Sequence, residues 1–501
     1  MKIKIQNGPE FDARDGENLL SALGHAGVPV SAPCGGKHRC GKCQVRIIAG
    51  TVKSIQEKPE PGSIPSETLK NGIVLACMTI PESDLTIELI SENTYEGGAY
   101  QKISSGNQKP ASRTGVALDI GTTTVSARLV DLDTGNELDT YSALNKQRVF
   151  GADVMSRIGA ARNGKTSELH KIINNQTNEI LTGFKSKFGL SKIETLAVAA
   201  NTTMLHLFVN ENPAMMGEIP FTPVFIEERE YKGSDFNLPV DKILLFPSIS
   251  AFIGADVVSG LAVINVLDLK ETIFFIDIGT NGEMALFHNG KLFCTSAAAG
   301  PALEGAEISC GVGSIRGAIN KVEWVDGKLS WDTIGGDAPA GICGCGLIDA
   351  MSIMLEKEII DDTGAFNDDD REDFKITEGV SLTNRDVRQY QLAKSAILSA
   401  IRIVCKNAGI DLNMIKKVFV AGGLGFYINQ NSAVRTGLLP EEFLNRVEIC
   451  GNTSLKGAVK ALLDPGFFEY CKKIKGVSEI MELASDPVFM DAFAENMIFP
   501  S

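Results

Sequence analysis

Apolar and polar residues alternate strictly over positions 2–6, with Ile3 and Ile5 set against Lys2, Lys4 and Gln6. That period of two predicts a half-buried strand. Over 17–26 the spacing changes, and Leu19, Leu20 and Leu23 fall on one helical face. A glycine- and cysteine-rich loop follows, then alternating stretches at 44–48 and 85–90 that read as strands. Residues 1–92 thus predict a small mixed sheet with one helix, close to a β-grasp. Residues 93–113 (NTYEGGAYQKISSGNQKPASR) carry no apolar period and read as a flexible linker. From 114 to 501 strands alternate with long helices. Positions 115–120 and 123–131 predict a strand and its return, and 272–278 with 281–288 repeat that pattern. Residues 395–407 read as a helix, and 417–420 as a strand entering Ala421-Gly422-Gly423-Leu424-Gly425. The most apolar long window, 248–267, reads as a buried helix with Asp256 at its start, as a cap or as a second candidate base.

Bulk properties change this picture in three ways. A chain of 501 residues exceeds one ordinary core and implies two to four structural units. A net charge of −14 sets the surface against phosphate backbones, so small molecules and proteins, not nucleic acid, are the expected partners. No charged-then-apolar leader opens the chain and no run of about 20 apolar residues occurs, so the expected location is the cytoplasm, with no membrane association. Eleven cysteines without a leader do not read as a disulfide framework. Four cluster near the N-terminus, which points to one metal site plus free thiols.

Those four are Cys34, Cys40 and Cys43, in the spacing C-x5-C-x2-C, and Cys77 beyond them. Four thiolates must reach two irons, so a loop of three ligands wraps one side and a distant segment supplies the fourth. Gly35, Gly36 and Gly41 let the loop fold tightly and aim N–H groups at sulfides, and Lys37, Arg39 and Lys42 offset negative charge. A zinc ribbon would show two C-x2-C knuckles, and only one is present. A Rieske centre needs two histidines; only His38 lies nearby, and it reads as a solvated loop residue. The spacing therefore predicts a [2Fe–2S] cluster. It resembles plant-type ferredoxins and, in its five-residue first gap, the adrenodoxin type.

The second chemistry lies in a repeated tetrapeptide. Asp119-Ile120-Gly121-Thr122 and Asp277-Ile278-Gly279-Thr280 each end a predicted strand, 158 positions apart. An aspartate there can hold Mg²⁺ through water, while turn N–H groups and hydroxyls hold phosphate oxygens. The order of these loops, followed by V-A-G-G-L-G, resembles the superfamily of acetate and sugar kinases and actin. The resemblance implies a two-lobed, actin-like (ASKHA, ribonuclease H-like) α/β ATPase over 114–501. It places Asp119, Gly121, Thr122, Thr123 and Thr124 in a first phosphate loop. It places Asp277, Gly279, Thr280, Asn281 and Gly282 in a second, and Gly422 and Gly423 against adenosine. Glu283 is the candidate for orienting a water. Asn201-Thr202-Thr203-Met204 reads as a further strand-end loop, facing the cleft or an ordinary turn. Cys343 and Cys345, in G-I-C-G-C-G, lack further ligands at suitable spacing and read as free buried thiols; Cys310 sits in a candidate cleft loop.

Joined in one chain, the two units resemble the reductive activators of corrinoid enzymes. VALDIGTTT, NTTMLHLF, FIGADVV, FIDIGTNGEM, GICGCGLIDA and VAGGLG carry the resemblance over nearly the whole chain. It implies ATP-dependent transfer of one electron from the [2Fe–2S] cluster, returning a corrinoid protein of a methyltransferase system from Co(II) to Co(I). It also implies an upstream electron donor, an anaerobic setting and compatibility with a homodimer. Larger members carry a middle domain that the short linker here predicts to be missing. Two other readings fit the motifs: an ATP-driven donor to another low-potential enzyme, and a kinase or nucleotide-binding regulator with a redox-sensing cluster.

Overall fold

The alternation at the N-terminus is realised in β1 (Lys2–Ile5), where Ile3 and Ile5 are buried and Lys2 and Lys4 exposed. In this computed structural model the described residues are 1–6, 8–26, 28, 30, 36, 38, 43–55, 72–90, 112–368, 370–483 and 486–500. Strands β2 (Glu10–Asp12), β3 (Gln44–Ala49), β4 (Ile73–Leu75) and β5 (Leu85–Leu89) complete a five-stranded sheet in the order β2-β1-β5-β3-β4. Only β1 and β5 run parallel. Helix α1 (Leu19–His25) begins at Asn18, whose side chain accepts from the Ser21 amide at 2.9 Å, and buries Leu19, Leu20 and Leu23. This is the expected β-grasp. The linker falls largely outside the described residues.

The next sheet contains β6 (Thr114–Ile120), β7 (Thr124–Asp131), β8 (Glu137–Leu144), β9 (Ile193–Ala200), β10 (Arg229–Lys232) and β11 (Val240–Leu245), in the order β8-β7-β6-β9-β11-β10. Strands β6, β7 and β8 form an antiparallel meander, and β9 lies parallel to β6 on its other side. The third sheet repeats this plan. It contains β12 (Ile273–Ile278), β13 (Gly282–His288), β14 (Lys291–Ala297), β15 (Lys417–Ala421), β16 (Val447–Gly451) and β17 (Ser478–Ile480), in the order β16-β15-β12-β13-β14-β17. Again a meander starts at the central strand, and β15 lies parallel to β12. The sequence echo is therefore a topological echo. Each central strand is apolar on both faces, as a strand covered by layers on both sides must be.

Helices fill the space between and outside the sheets. Helix α2 (Val154–Ala160) and α3 (Thr166–Phe188) belong to the first lobe, with α4 (Thr202–Phe208) capped by Asn201. Helix α5 (Ala255–Val263) is shorter than the apolar window 248–267 predicts. The earlier half of that window is a buried loop, since apolarity marks burial and not periodicity. Helices α6 (Gly344–Glu356) and α7 (Asn384–Ala408) cover the outer face of the third sheet. Helix α8 (Thr453–Leu463) returns from the second lobe to pack beside α5 in a core shared by both lobe sheets. Their contact is close: a Cβ on Gly457 would sit 1.9 Å from Ser259 Oγ. The β-grasp unit meets the first lobe through α1, where His25 reaches Glu168 of α3 at 3.1 Å.

Candidate functional site

The two lobe sheets face each other across a cleft of about 210 Å³, entered by the loops that end β6 and β12. The loops share a geometry. The Gly121 amide donates to the Thr124 carbonyl at 2.9 Å, and the Gly279 amide to the Asn281 carbonyl at 2.9 Å. A side chain at Gly121 would sit 2.7 Å from that Thr124 oxygen, which is why glycine stands there. Asp119, Gly121, Thr122, Thr123, Thr124, Asp277, Gly279, Thr280, Asn281, Glu283, Gly422 and Gly423 all line the cleft. Gly282 does not; it packs toward Ile397, 3.3 Å from where a Cβ would stand, because alternation on β13 turns it to the core. Asn201 lines the cleft as well as capping α4, so both readings of that loop hold. Cys310 is not among the lining residues; its thiol donates to the Ser381 carbonyl at 3.1 Å.

Asp256 departs from its expected role. The N-cap of α5 is Gly254, and Asp256 sits inside the first turn, accepting from the adjacent Val257 amide at 2.9 Å. Its carboxyl lines the cleft beside Asp119 and Asp277. With Glu283 and Glu304, five carboxylates converge, and no lysine, arginine or histidine lines the cleft among the described residues. Burial, reinforced by the charge of Asp119, pushes Asp256 up to about 7. Burial and then Asp256, Asp119 and Glu304 push Asp277 up to about 8. Glu283 is held well above the ordinary carboxylate range by burial, then by Asp256 and Asp277. Asp119 is also raised by burial, but two hydrogen bonds oppose the rise. They come from Asn452 Nδ2 to Oδ2 at 2.7 Å and Ser454 Oγ to Oδ1 at 2.8 Å.

Like charges held this close in a half-buried cleft are stable only if protonated or shared with a cation. A triphosphate would add further negative charge. The donor set is all oxygen, carboxylates and hydroxyls, which is the chemistry of a hard divalent cation. The residues therefore fit Mg²⁺ carrying a nucleotide.

Several positioning residues were not legible beforehand. Arg157 of α2 lies buried behind the first loop, donating to the Thr122 carbonyl and, at 3.1 Å, to the Gly151 carbonyl. Burial lowers its pKa to about 9, and the charge of Asp153 opposes that. Asn145 Nδ2 donates to the Gly121 carbonyl at 2.8 Å, and Asn201 Nδ2 to Thr122 Oγ1 at 3.0 Å. The loop is thus held from outside. On the far side, Gly422 has φ +84°, and a Cβ there would lie 2.3 Å from Asp277 Oδ1. Gly423, by contrast, opens into the cleft with nothing within 4 Å.

The cysteine loop is described only in part: Cys34 and Cys40 lie outside the described residues. Cys43 and Cys77 are both buried and their sulfurs stand 3.3 Å apart, although 33 residues separate them in the chain. The Cys77 amide points at Cys43 Sγ from 3.5 Å. Gly36 has φ +80°, and a Cβ on it would approach Leu20 at 3.5 Å and the Cys77 Cβ at 3.9 Å. Cys43 and Gly36 of the loop thus come together with the distant Cys77. His38, expected to be solvated, is half-buried. Cys343 and Cys345 are buried free thiols at the start of α6.

Known protein families match the chain in three parts. Residues 3–82 match the model of the 2Fe-2S iron-sulfur cluster binding domain. Residues 114–269 match the RACo middle region, and 271–501 the C-terminal domain of RACo, the ASKHA domain. The middle region is thus present, as the first lobe of the cleft, and the expectation that it is missing is corrected. The chain is 30% identical to the corrinoid activation enzyme RamQ of Eubacterium limosum over 98% of its own length and 97% of that protein. It is 28% identical to the [Co(II) methylated amine-specific corrinoid protein] reductase of Methanosarcina barkeri, covering 72% of each. Among solved structures, a reductive activator for corrinoid, iron-sulfur protein superposes with a TM-score of 0.73 at 28% identity, covering 100% of this chain and 98% of that one. With an iron–sulfur unit, a two-lobed acidic cleft and these full-length relatives, the chain belongs to the family of reductive activators of corrinoid proteins.

Proposed function

We propose that this protein uses ATP to return a corrinoid protein of a methyltransferase system from Co(II) to Co(I). The observation that carries this is the union, in one chain, of a four-cysteine site with an interlobe cleft of oxygen ligands. Cys34, Cys40, Cys43 and Cys77 would hold the [2Fe–2S] cluster, which supplies the single electron when bound. Asp119, Asp256 and Asp277 would hold Mg²⁺. Thr122, Thr123 and Thr280 would donate to phosphate oxygens, with Thr122 oriented by Asn201. Asn281 hydrogen-bonds Glu283, which holds that carboxyl toward the second loop.

ATP is needed because the electron step runs uphill. Plant-type clusters lie near about −400 mV, and each additional 59 mV of mismatch costs about tenfold in a one-electron equilibrium. Because the nucleotide would touch both lobes, its binding and hydrolysis would shift their separation. Partner affinity would then alternate with nucleotide state. An upstream low-potential donor would reload the cluster.

The test uses the full chain, purified without oxygen and reduced by a low-potential donor. It is mixed with Co(II) corrinoid proteins with and without MgATP, and the Co(I) absorption band is followed. ATP-dependent Co(I) with at least one partner is expected. An intact reduced cluster and active ATP hydrolysis that yield no Co(I) with any partner would reject the proposal in favour of another low-potential acceptor.

A further inference from the structure

Glu304 joins the two phosphate loops. It ends the short turn Pro301–Glu304 that follows β14 in the second lobe. Its Oε2 accepts from Thr123 Oγ1 of the first lobe at 2.8 Å and from Thr280 Oγ1 of the second. Its Oε1 lies 3.3 Å from the position of a Cβ on Gly279. The backbone behind it is fixed: Gly305 has φ +80°, and a Cβ there would strike the Val312 carbonyl oxygen at 2.2 Å. Among the described residues it has no cationic partner within ion-pair distance.

We propose that Glu304 is a positioning residue that ties the lobes together through Thr123 and Thr280 and must surrender both hydroxyls to a nucleotide's phosphates. This deepens the reading of the cleft as an ATP site and rests on it. Each threonine hydroxyl carries one proton, and a phosphate oxygen and a carboxylate oxygen are both acceptors. A phosphate within reach of these hydroxyls takes the protons that Glu304 now accepts. It also stands beside an anion that no lining lysine, arginine or histidine offsets. The carboxylate swings away and the Thr123–Glu304–Thr280 tie breaks. Glu304 thereby weakens phosphate binding and links nucleotide occupancy to lobe position.

The test is calorimetric titration of the full iron–sulfur protein with adenosine, MgADP and MgATP, comparing wild type with Glu304→Ala and the near-isosteric Glu304→Gln. The visible cluster spectrum and the melting temperature check folding. The expected result is a Kd for MgADP and MgATP lower by roughly tenfold in Glu304→Ala, from loss of one nearby like charge. Glu304→Gln, which keeps an acceptor oxygen, should show a smaller tightening, and adenosine should bind all three proteins equally. Unchanged or weaker binding of MgADP and MgATP in both variants overturns the proposal while leaving the ATP site in place. Failure of wild type and variants alike to bind any nucleotide overturns the site and the proposal together.

Discussion

The two phosphate loops share one tetrapeptide and one strand topology, yet their aspartates live in different surroundings. Asp119 accepts from two side chains, Asn452 and Ser454, where β16 passes into α8. Asp277 is backed by Gly422, whose missing side chain lets the carboxylate lie against backbone. Both line the cleft half-buried and are raised by burial, but hydrogen bonds offset part of the effect only at Asp119. At Asp277 the neighbouring carboxylates add to burial. The lesson is that duplication of a motif copies its backbone role and not its electrostatics. At one aspartate two hydrogen bonds oppose the rise that burial imposes, and at the other the charge of its neighbours adds to that rise.

That comparison can be broken in order of effect. Asp119→Ala and Asp277→Ala should each lower ATP turnover by roughly a hundredfold or more, since each removes an oxygen proposed to hold the metal. Cys77→Ser should leave turnover near wild type while abolishing Co(I) formation. Equal loss of turnover in Cys77→Ser would mean that the two units are not separable. Next, Gly422→Ala forces a left-handed φ on alanine and drives its Cβ into Asp277. A loss of about 1–3 kcal/mol in urea unfolding is expected, with weaker MgATP binding.

The third effect is a pH dependence. A buried acid whose folded pKa exceeds its unfolded value binds protons more tightly when folded, so the chain loses stability as pH rises between the two. For Asp277 that window runs from 3.8 to about 8. Without divalent cation, the melting-temperature gain of Asp277→Asn over wild type should grow from about pH 5 to about pH 8. Mg²⁺ should shrink that gain. Asp119→Asn should show a smaller growth, and equal growth would erase the distinction between the loops. The smallest effect is Asn452→Ala, which removes one of the two donors to Asp119. It should cost about 1 kcal/mol in urea unfolding and leave the environment of Asp277 unchanged.

Much of this molecule was legible in its residues. The alternation at 2–6, the cysteine spacing and the repeated Asp-Ile-Gly-Thr are local patterns, and a strand, a ligand loop and a strand-end turn are local consequences. The helix expected at 395–407 is real, though α7 begins earlier, at Asn384, under a capping box from Thr383 and Asp386. Gly282 was misassigned because a run of loop-like residues does not reveal where alternation resumes. Asp256 was read as a cap because a polar residue before an apolar run ordinarily is one. Glu304, Asn452 and Ser454 carried no local signal at all.

The strand alternation, the cysteine spacing and the twin Asp-Ile-Gly-Thr turns were legible in the chain because each is a pattern among near neighbours, whereas the approach of Cys77 to Cys43 is long-range. What faces the cleft is set by long-range packing. Asp119 meets Asn452, and Thr123 meets Glu304, because two sheets and the helices between them bring distant segments within hydrogen-bond reach. The charge state of each carboxylate follows from that meeting, since desolvation and neighbouring charge are properties of a folded surface and not of a chain.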